Sequence, residues 1–354
     1  MFSNLPTEII IKVLDYLLLK DQIQLAQVNQ HLQDAFVYRI ERDFKQLIGF
    51  YYEEETLSGF LPLCGYIVVD LILDIESNLI LKKVEKYCTN LEKVKFWNLK
   101  ETSVTVLKSI LSKESLRTIA LHNMTGGGLD NMLTYINKDC KVLSLEDVSN
   151  DDMQHLPQLI GLEELEVLFR NDMVDLFKIC FSYKKLRVLK ICLCRMLTGG
   201  PDFVFPELEE LELKHSNLYN GLPTCVKLKS LNLCCNLYND KMNIVNIIAQ
   251  CAPNLERLAF TSWDPEKYHF SAHHLIELLR KCRTIEFIYL SADIIRNVLL
   301  RNESSFVDVL KENGFNAERR LVIGVRDLSD KQDVENLVPN SEAWNFIKCM
   351  LYRS

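Results

Sequence analysis

The apolar positions of the chain follow two spacings, one helical and one strand-like. In the first stretch, Ile9, Ile10, Ile11, Val13, Leu14, Tyr16, Leu17 and Leu18 are broken only by Glu8, Lys12 and Asp15. At 100° per residue these apolar side chains cover an arc of about 220°, whereas packing onto one core needs a stripe of roughly 100°. The surplus predicts a second buried surface: the helix is either enclosed within its own domain or waits for another protein. Pro6 suits the first helical position, where its missing N–H would be unpaired anyway, and Glu8 complements the helix N-terminus. A second helix is expected with Asp21 as its cap and Ile23, Leu25, Ala26 and Val28 as apolar positions. A third follows Asn29, with Leu32, Phe36, Ile40, Phe44 and Leu47 spaced four or three apart along one stripe. Three short helices make a very small core, too small for dependable stability alone.

From residue 66 the spacing changes. A leucine-x-x-leucine-x-leucine pattern, with conservative swaps, begins at Val68, Leu91, Leu116, Cys140, Leu162, Leu186, Leu208, Leu228, Leu255 and Ile285. Successive starts lie 23, 25, 24, 22, 24, 22, 20, 27 and 30 residues apart. Most of these fall in the window of leucine-rich repeats, roughly 20–29 residues. Each leucine-x-leucine pair reads as a short strand with alternate side chains in the core. Helical patterning lies between them at Ile80, Val84 and Tyr87, at Val106, Leu107 and Ile110, at Ile244, Ile247 and Ile248, and at Leu275, Leu278 and Leu279. The connections with Gly199-Gly200-Pro201 and Gly221-Leu222-Pro223 read as turns. One such unit cannot bury its apolar side, but a stack of them can. The expected fold is α/β: a three-helix N-terminal module, then a curved solenoid with parallel strands on its concave face and helices on its convex face. Past residue 295 the pattern loosens. Phe306, Val309 and Leu310 mark a helix, Leu321-Val322-Ile323 a last strand, and Trp344, Phe346 and Ile347 a C-terminal capping helix.

Leu5-Pro6-x-Glu8-Ile9-Ile10, Val13-Leu14-x-x-Leu17, Asp21, Leu25 and Val28-Asn29 together resemble the F-box, with Leu32 where that family usually has Trp. Cys88 and Cys282 stand three residues before a repeat's first position and Cys251 four before, which resembles the cysteine-containing leucine-rich repeats often joined to F-boxes. The resemblance implies an F-box at 1–48, a linker at 49–65, about ten repeats at 66–295, and an irregular last repeat with a cap at 296–354. It also implies a Skp-type adaptor as partner, and through it a cullin and a RING protein. Adaptor contacts by family position are Leu5, Pro6, Glu8, Ile9, Ile10, Leu14, Leu25, Val28 and Asn29. The implied role is the substrate-recognition subunit of a ubiquitin ligase, a non-catalytic receptor that marks proteins for degradation. The alternative is a plain leucine-rich-repeat scaffold whose helical cap has degenerated from an F-box.

Composition narrows this further. The net charge of −7 argues against nucleic acid as the main partner, since phosphate binding needs clustered Lys and Arg. Met1-Phe2-Ser3-Asn4 lacks a basic signal region, and the apolar run from Tyr66 to Ile75 is short and carries two aspartates, so neither secretion nor a membrane span is expected. That places the chain in the cytoplasm or nucleus, with its twelve cysteines as reduced thiols. Cys192-x-Cys194, Cys234-Cys235 and the histidines His215, His269, His273 and His274 lack zinc spacing, and Gly126-Gly127-Gly128 lacks the ending of a phosphate loop. No cofactor, metal or catalytic constellation is expected.

Recognition fits better. Strand residues that alternate with the core positions project onto the concave face, and the substrate-contacting set read from them is Trp97, Glu146, Glu164, Glu166, Lys190, Glu212, Arg257, Trp263, Phe287 and Tyr289. Acidic residues gather on the middle strands and aromatics on the later ones, a surface that would favour a basic segment followed by an apolar anchor. As core thiols, the cysteines are expected to leave the purified protein without stoichiometric zinc and its unfolding unchanged by chelator. Metal analysis finding about one zinc per chain would overturn that.

Overall fold

A computed structural model describes residues 5–352 except 42, 75–76, 99–103, 124–131, 148–152, 170–174, 238–243, 261–269 and 338, and only the backbone at 157, 235–237 and 337. The chain forms two compact units, Met1–Leu162 and Glu163–Ser354.

The first unit begins with α1 (Thr7–Leu14), α2 (Leu19–Ala26) and α3 (Gln30–Ile40). Their shared core is Ile10, Leu14, Ile23, Ala26, Leu32, Ala35, Phe36 and Ile40, all buried. Asn29 caps α3, its side-chain oxygen accepting from the Leu32 N–H at 3.0 Å. Asp21 is not a cap. Helix α2 starts two residues earlier, which puts the Asp21 carboxylate in the first turn, where the helix dipole favours it. Helix α3 also ends sooner than its apolar stripe, because the Ile40 carbonyl takes the N–H groups of both Asp43 and Phe44 and turns the chain. Leu47 belongs instead to β1 (Gln46–Ile48).

Residues 49–65 are folded rather than a bare linker. They hold a single 3-10 turn and α4 (Glu54–Cys64), which buries Leu57, Phe60, Leu61 and Cys64 and touches α2 and α3. Then come β2 (Asp70–Asp74), α5 (Asn78–Tyr87), β3 (Lys93–Trp97), α6 (Val104–Leu111), β4 (Thr118–Leu121) and β5 (Val142–Glu146). All five strands run parallel. The register stacks Leu47, Leu71, Val94, Ile119 and Leu143 side by side, so the same repeat position faces itself across every pair. A slip of one residue would turn each of these side chains out of the core.

The second unit contains β6 (Glu164–Leu168), α7 (Leu176–Cys180), β7 (Val188–Cys192), β8 (Leu197–Thr198), β9 (Glu210–Tyr219), β10 (Ser230–Leu237), α8 (Ile244–Cys251), β11 (Arg257–Phe260), α9 (Ala272–Lys281), β12 (Phe287–Tyr289), α10 (Ala292–Arg301), α11 (Glu303–Glu312), β13 (Leu321–Val325), α12 (Leu328–Leu337) and β14 (Ile347–Leu351). The same stacking runs through Leu165, Leu189, Leu211, Leu231, Leu258, Ile288, Ile323 and Cys349. Every residue of the ten triplets is buried. The expected turn at Gly199-Gly200-Pro201 is present, the Phe203 N–H donating to the Gly200 carbonyl at 3.2 Å, whereas Gly221-Leu222-Pro223 is an irregular connection; a Cβ on Gly199 would collide with the Gly221 carbonyl. At the end of the chain the expected capping helix is absent. Glu342–Asn345 is a 3-10 turn and Ile347–Leu351 is a strand, with Ile347 and Cys349 buried alternately. Three apolar residues in four fit either period, and the free edge of β13 decided for pairing.

Nine cysteines are buried and two half-buried among the described residues. Burial pushes the thiols of Cys64, Cys88 and Cys140 up to about 12. An unfolded thiol ionises near 8.5, so the stability from keeping these thiols neutral is complete below that pH and is lost as pH climbs toward 12. Each contributes a slope of up to about 1.4 kcal/mol per pH unit in that window. The denaturation midpoint is therefore expected to fall steeply between pH 9 and 12, and Cys88→Ala to flatten that fall; a midpoint independent of pH there would contradict it.

Candidate functional site

Two surfaces come into question, the outside of the three N-terminal helices and the sheet face of the strands. On the helices, the chain enters α1 held by His31, whose ring N–H donates to the Leu5 carbonyl at 2.9 Å. Arg39 on α3 pairs with Asp15 just past α1 at 2.8 Å. These ties fix a surface on which Ile9 is 43% exposed, Val28 68%, Leu18 76% and Tyr16 91%. Pro6 and Glu8 are exposed beside them, and Leu5, Leu25 and Asn29 are half-buried. Ile10 and Leu14 are different: at 1% and 0% exposure they are core residues on α1 and reach no partner from there. The apolar arc of α1 is thus split, part spent on the helical core and part left outside.

On the sheet face of the first unit, Asp74, Trp97, His122 and Glu146 occupy equivalent places on adjacent strands. Lys95 Nζ sits 4.6 Å from the Trp97 ring centroid, and Trp97 stacks on His122 at 4.4 Å. His122 Nδ1 donates to Glu146 Oε2 at 2.8 Å, while its Nε2 is buried with no partner among the described residues. Glu146 is therefore engaged rather than a free acid. The residues that end these strands, Asn98, Asn123 and Asp147, have φ of 52°, 58° and 60°. Asn and Asp tolerate that left-handed conformation best. Asn98 donates to both Asp74 oxygens at 2.9 and 3.0 Å, and Asn123 donates to Asn98 at 2.6 Å.

In the second unit, Glu164 and Glu166 are exposed on β6. Glu210 and Glu212 of the expected strip are paired with lysines. Lys190 meets Glu210 at 3.2 Å and Lys214 meets Glu212 at 2.6 Å. The Glu212 hydrogen bond holds Lys214 above its ordinary value. Arg257 lies 4.8 Å over the Phe287 ring. Tyr352, which the sequence reading left out, packs on Phe287 at 5.4 Å and on Tyr289 at 4.6 Å. These rings meet over Gly324, where an added Cβ would lie 2.9 Å from Phe287 Cζ and 3.1 Å from both Tyr289 Cδ2 and Tyr352 Cβ. Burial pushes the Tyr289 hydroxyl up. Trp263, His269 and Gly126-Gly127-Gly128 lie outside the described residues. Tyr352 gave no earlier signal because it follows a segment that reads as helix; His122 and Lys95 carried one, alternating with core residues on their strands.

Among the described residues no group of three or more His, Cys, Asp or Glu is placed to hold a metal ion, and no described helix is long and apolar enough to cross a membrane.

The F-box domain family model matches residues 2–39, the segment that forms α1, α2 and most of α3. The chain carries an N-terminal F-box domain. After the F-box, the repeat spacing and in-register parallel strands are those of leucine-rich repeats. No curated protein matches the sequence. Among solved structures, the Rad7 and Elc1 complex in yeast is 13% identical with a TM-score of 0.46, over 98% of this chain and 92% of that one. The leucine-rich repeat-containing protein LegL7 from Legionella pneumophila is 12% identical with a TM-score of 0.41, over 79% and 93%. The TLR13–ssRNA13 complex is 13% identical with a TM-score of 0.42, over 80% of this chain and 42% of that chain. The chain thus spans less than half of the TLR13 chain, and 47% of the chain in the Toll–Spatzle complex.

The seat over Gly324 makes one clear demand. Gly324→Val overpacks the three rings and is expected to cost about 1–3 kcal/mol in chemical denaturation. Much of that loss is expected to disappear when Phe287→Ala and Tyr352→Ala open the space. An unaltered midpoint for Gly324→Val would show that the rings do not close over this residue.

Proposed function

We propose that the chain is the substrate-recognition subunit of a Skp–cullin–F-box ubiquitin ligase. In this reading the F-box binds a Skp-type adaptor, and the sheet face holds the protein to be ubiquitinated. The observation that carries it is the exposed apolar set Ile9, Tyr16, Leu18 and Val28 on a module whose core is already filled. Large apolar side chains left outside a small, closed core mark an interaction surface. Leu32, where the family usually has Trp, is 1% exposed, so that replacement alters the core and not this face.

The chain itself makes and breaks no bond in this scheme. Its contribution is proximity: a target held near a ubiquitin-charged enzyme reacts as though at very high local concentration. Helix α4 packs against α2 and α3 of the F-box and against α5 of the first repeats, which suits a holder that must keep its grip at a set distance. The setting is the cytoplasm or nucleus, where such ligases work on folded targets.

Ile9→Lys with Val28→Lys places two charges on exposed positions and is expected to leave the thermal midpoint within a few degrees while abolishing co-purification of a Skp-type adaptor and cullin from cell extract. Undiminished adaptor binding by this variant would sink the assignment of the surface. A wild-type chain that brings down neither adaptor nor cullin would favour the scaffold reading.

A further inference from the structure

The sheet face of the second unit carries a charge pattern that the acidic composition conceals. Arg257, Phe287, Val322 and Lys348 occupy one lateral row across β11, β12, β13 and β14. Both cations are exposed, and among the described residues neither has a carboxylate within ion-pair distance. Several acids on the neighbouring strands and loops are committed elsewhere. Glu210 and Glu212 pair with Lys190 and Lys214, Glu286 with Arg319 at 2.9 Å, and Asp327 and Asp330 with Arg326 at 3.1 and 3.5 Å. Phe287 stands in this row beside Arg257, and its ring reaches over Gly324, where it meets Tyr289 and Tyr352 one side-chain row further along the strands. The Arg257 guanidinium lies 4.8 Å over the Phe287 ring, a contact that still leaves a guanidinium with donors for a carboxylate.

We propose that this row receives an extended acidic segment of the target protein, with an apolar residue on the aromatic seat and a carboxylate on either side, one at Arg257 and one at Lys348. The spacing agrees with that occupant. Three strand gaps of about 4.8 Å separate the cations by roughly 14 Å, and four residues of extended chain span about 13 Å. A Glu-x-Phe-x-Glu segment therefore lays its carboxylates over the cations with its ring between them. The rings supply the contact area, and the charges select and orient. The inference rests on the reading of this face as the substrate site and replaces the expectation of a basic segment, which counted Glu210 and Glu212 as free.

The test uses the full chain and three fluorescein-labelled nonapeptide pools, uncharged outside a central Glu-x-Phe-x-Glu, Gln-x-Phe-x-Gln or Lys-x-Phe-x-Lys. At low salt the Glu pool is expected to bind about tenfold more tightly than the Gln pool, as two exposed ion pairs allow, with the Lys pool weakest. Arg257→Gln with Lys348→Gln, at exposed positions that leave folding intact, is expected to erase the Glu preference while keeping the Gln-pool affinity. Tyr289→Ala is expected to weaken all three. A Lys pool that binds as tightly as the Glu pool, or a Glu preference that survives the double substitution, would overturn the proposal. Adaptor capture is scored separately, so a chain that sorts the pools but brings down no adaptor refutes the ligase reading alone.

Discussion

The structure depends on apolar stacking between neighbouring repeats. A strand such as Leu143-x-Leu145 has nothing of its own to cover its inward side chains, and Leu121 on the preceding strand closes one flank. Burying a leucine is worth about 1.5–3 kcal/mol, and each repeat brings three core positions, so the gain accrues only when repeats stand in register. This explains why the connections vary freely while the triplets do not. Helices return the chain at α5 and α6, a 3-10 turn at Met132–Tyr135, and short glycine-containing connections near Gly199 and Gly221. All satisfy the same demand, that the next strand begin beside the last.

The period of two that buries one set of side chains necessarily displays the other. On β12, Ile288 lies in the core while Phe287 and Tyr289 stand on the sheet face. The recognition surface is thus a by-product of the core's geometry, and its residues are free to change without disturbing the stack. What they become depends on their neighbours across the strands. Glu146 is held by His122, Glu212 by Lys214, and Phe287 is backed by Tyr352. Glu212 and Lys214 are two apart on one strand, but the other two contacts join residues 24 and 65 positions apart, which no local pattern encodes.

At the N-terminus, three helices share a core of eight mostly aliphatic residues, and the module is stabilised by packing of α2 and α3 on α4. Its small size leaves apolar surface uncovered at Ile9 and Val28, and that surplus is the physical basis for assigning it a partner.

How much of this was legible in the sequence varied with the range of the interaction. The ten triplets were legible, because each leucine position is set by the strand period and the pattern recurs every 20 to 30 residues; all ten are core. The F-box was legible from Leu5-Pro6-x-Glu8 and the apolar arc that follows, a local helical pattern. Which half of that arc is spent inside was not: Ile10 and Leu14 read the same as Ile9 until α3 is placed against α1. Leu47 and Ile347 fit a helix or a strand equally well by spacing, and only the edge of a neighbouring strand assigned them. The charge of the sheet face went the same way. Composition counts every glutamate as an acid, but ion pairs form across strands, and the tertiary structure alone decides which charges remain unspent.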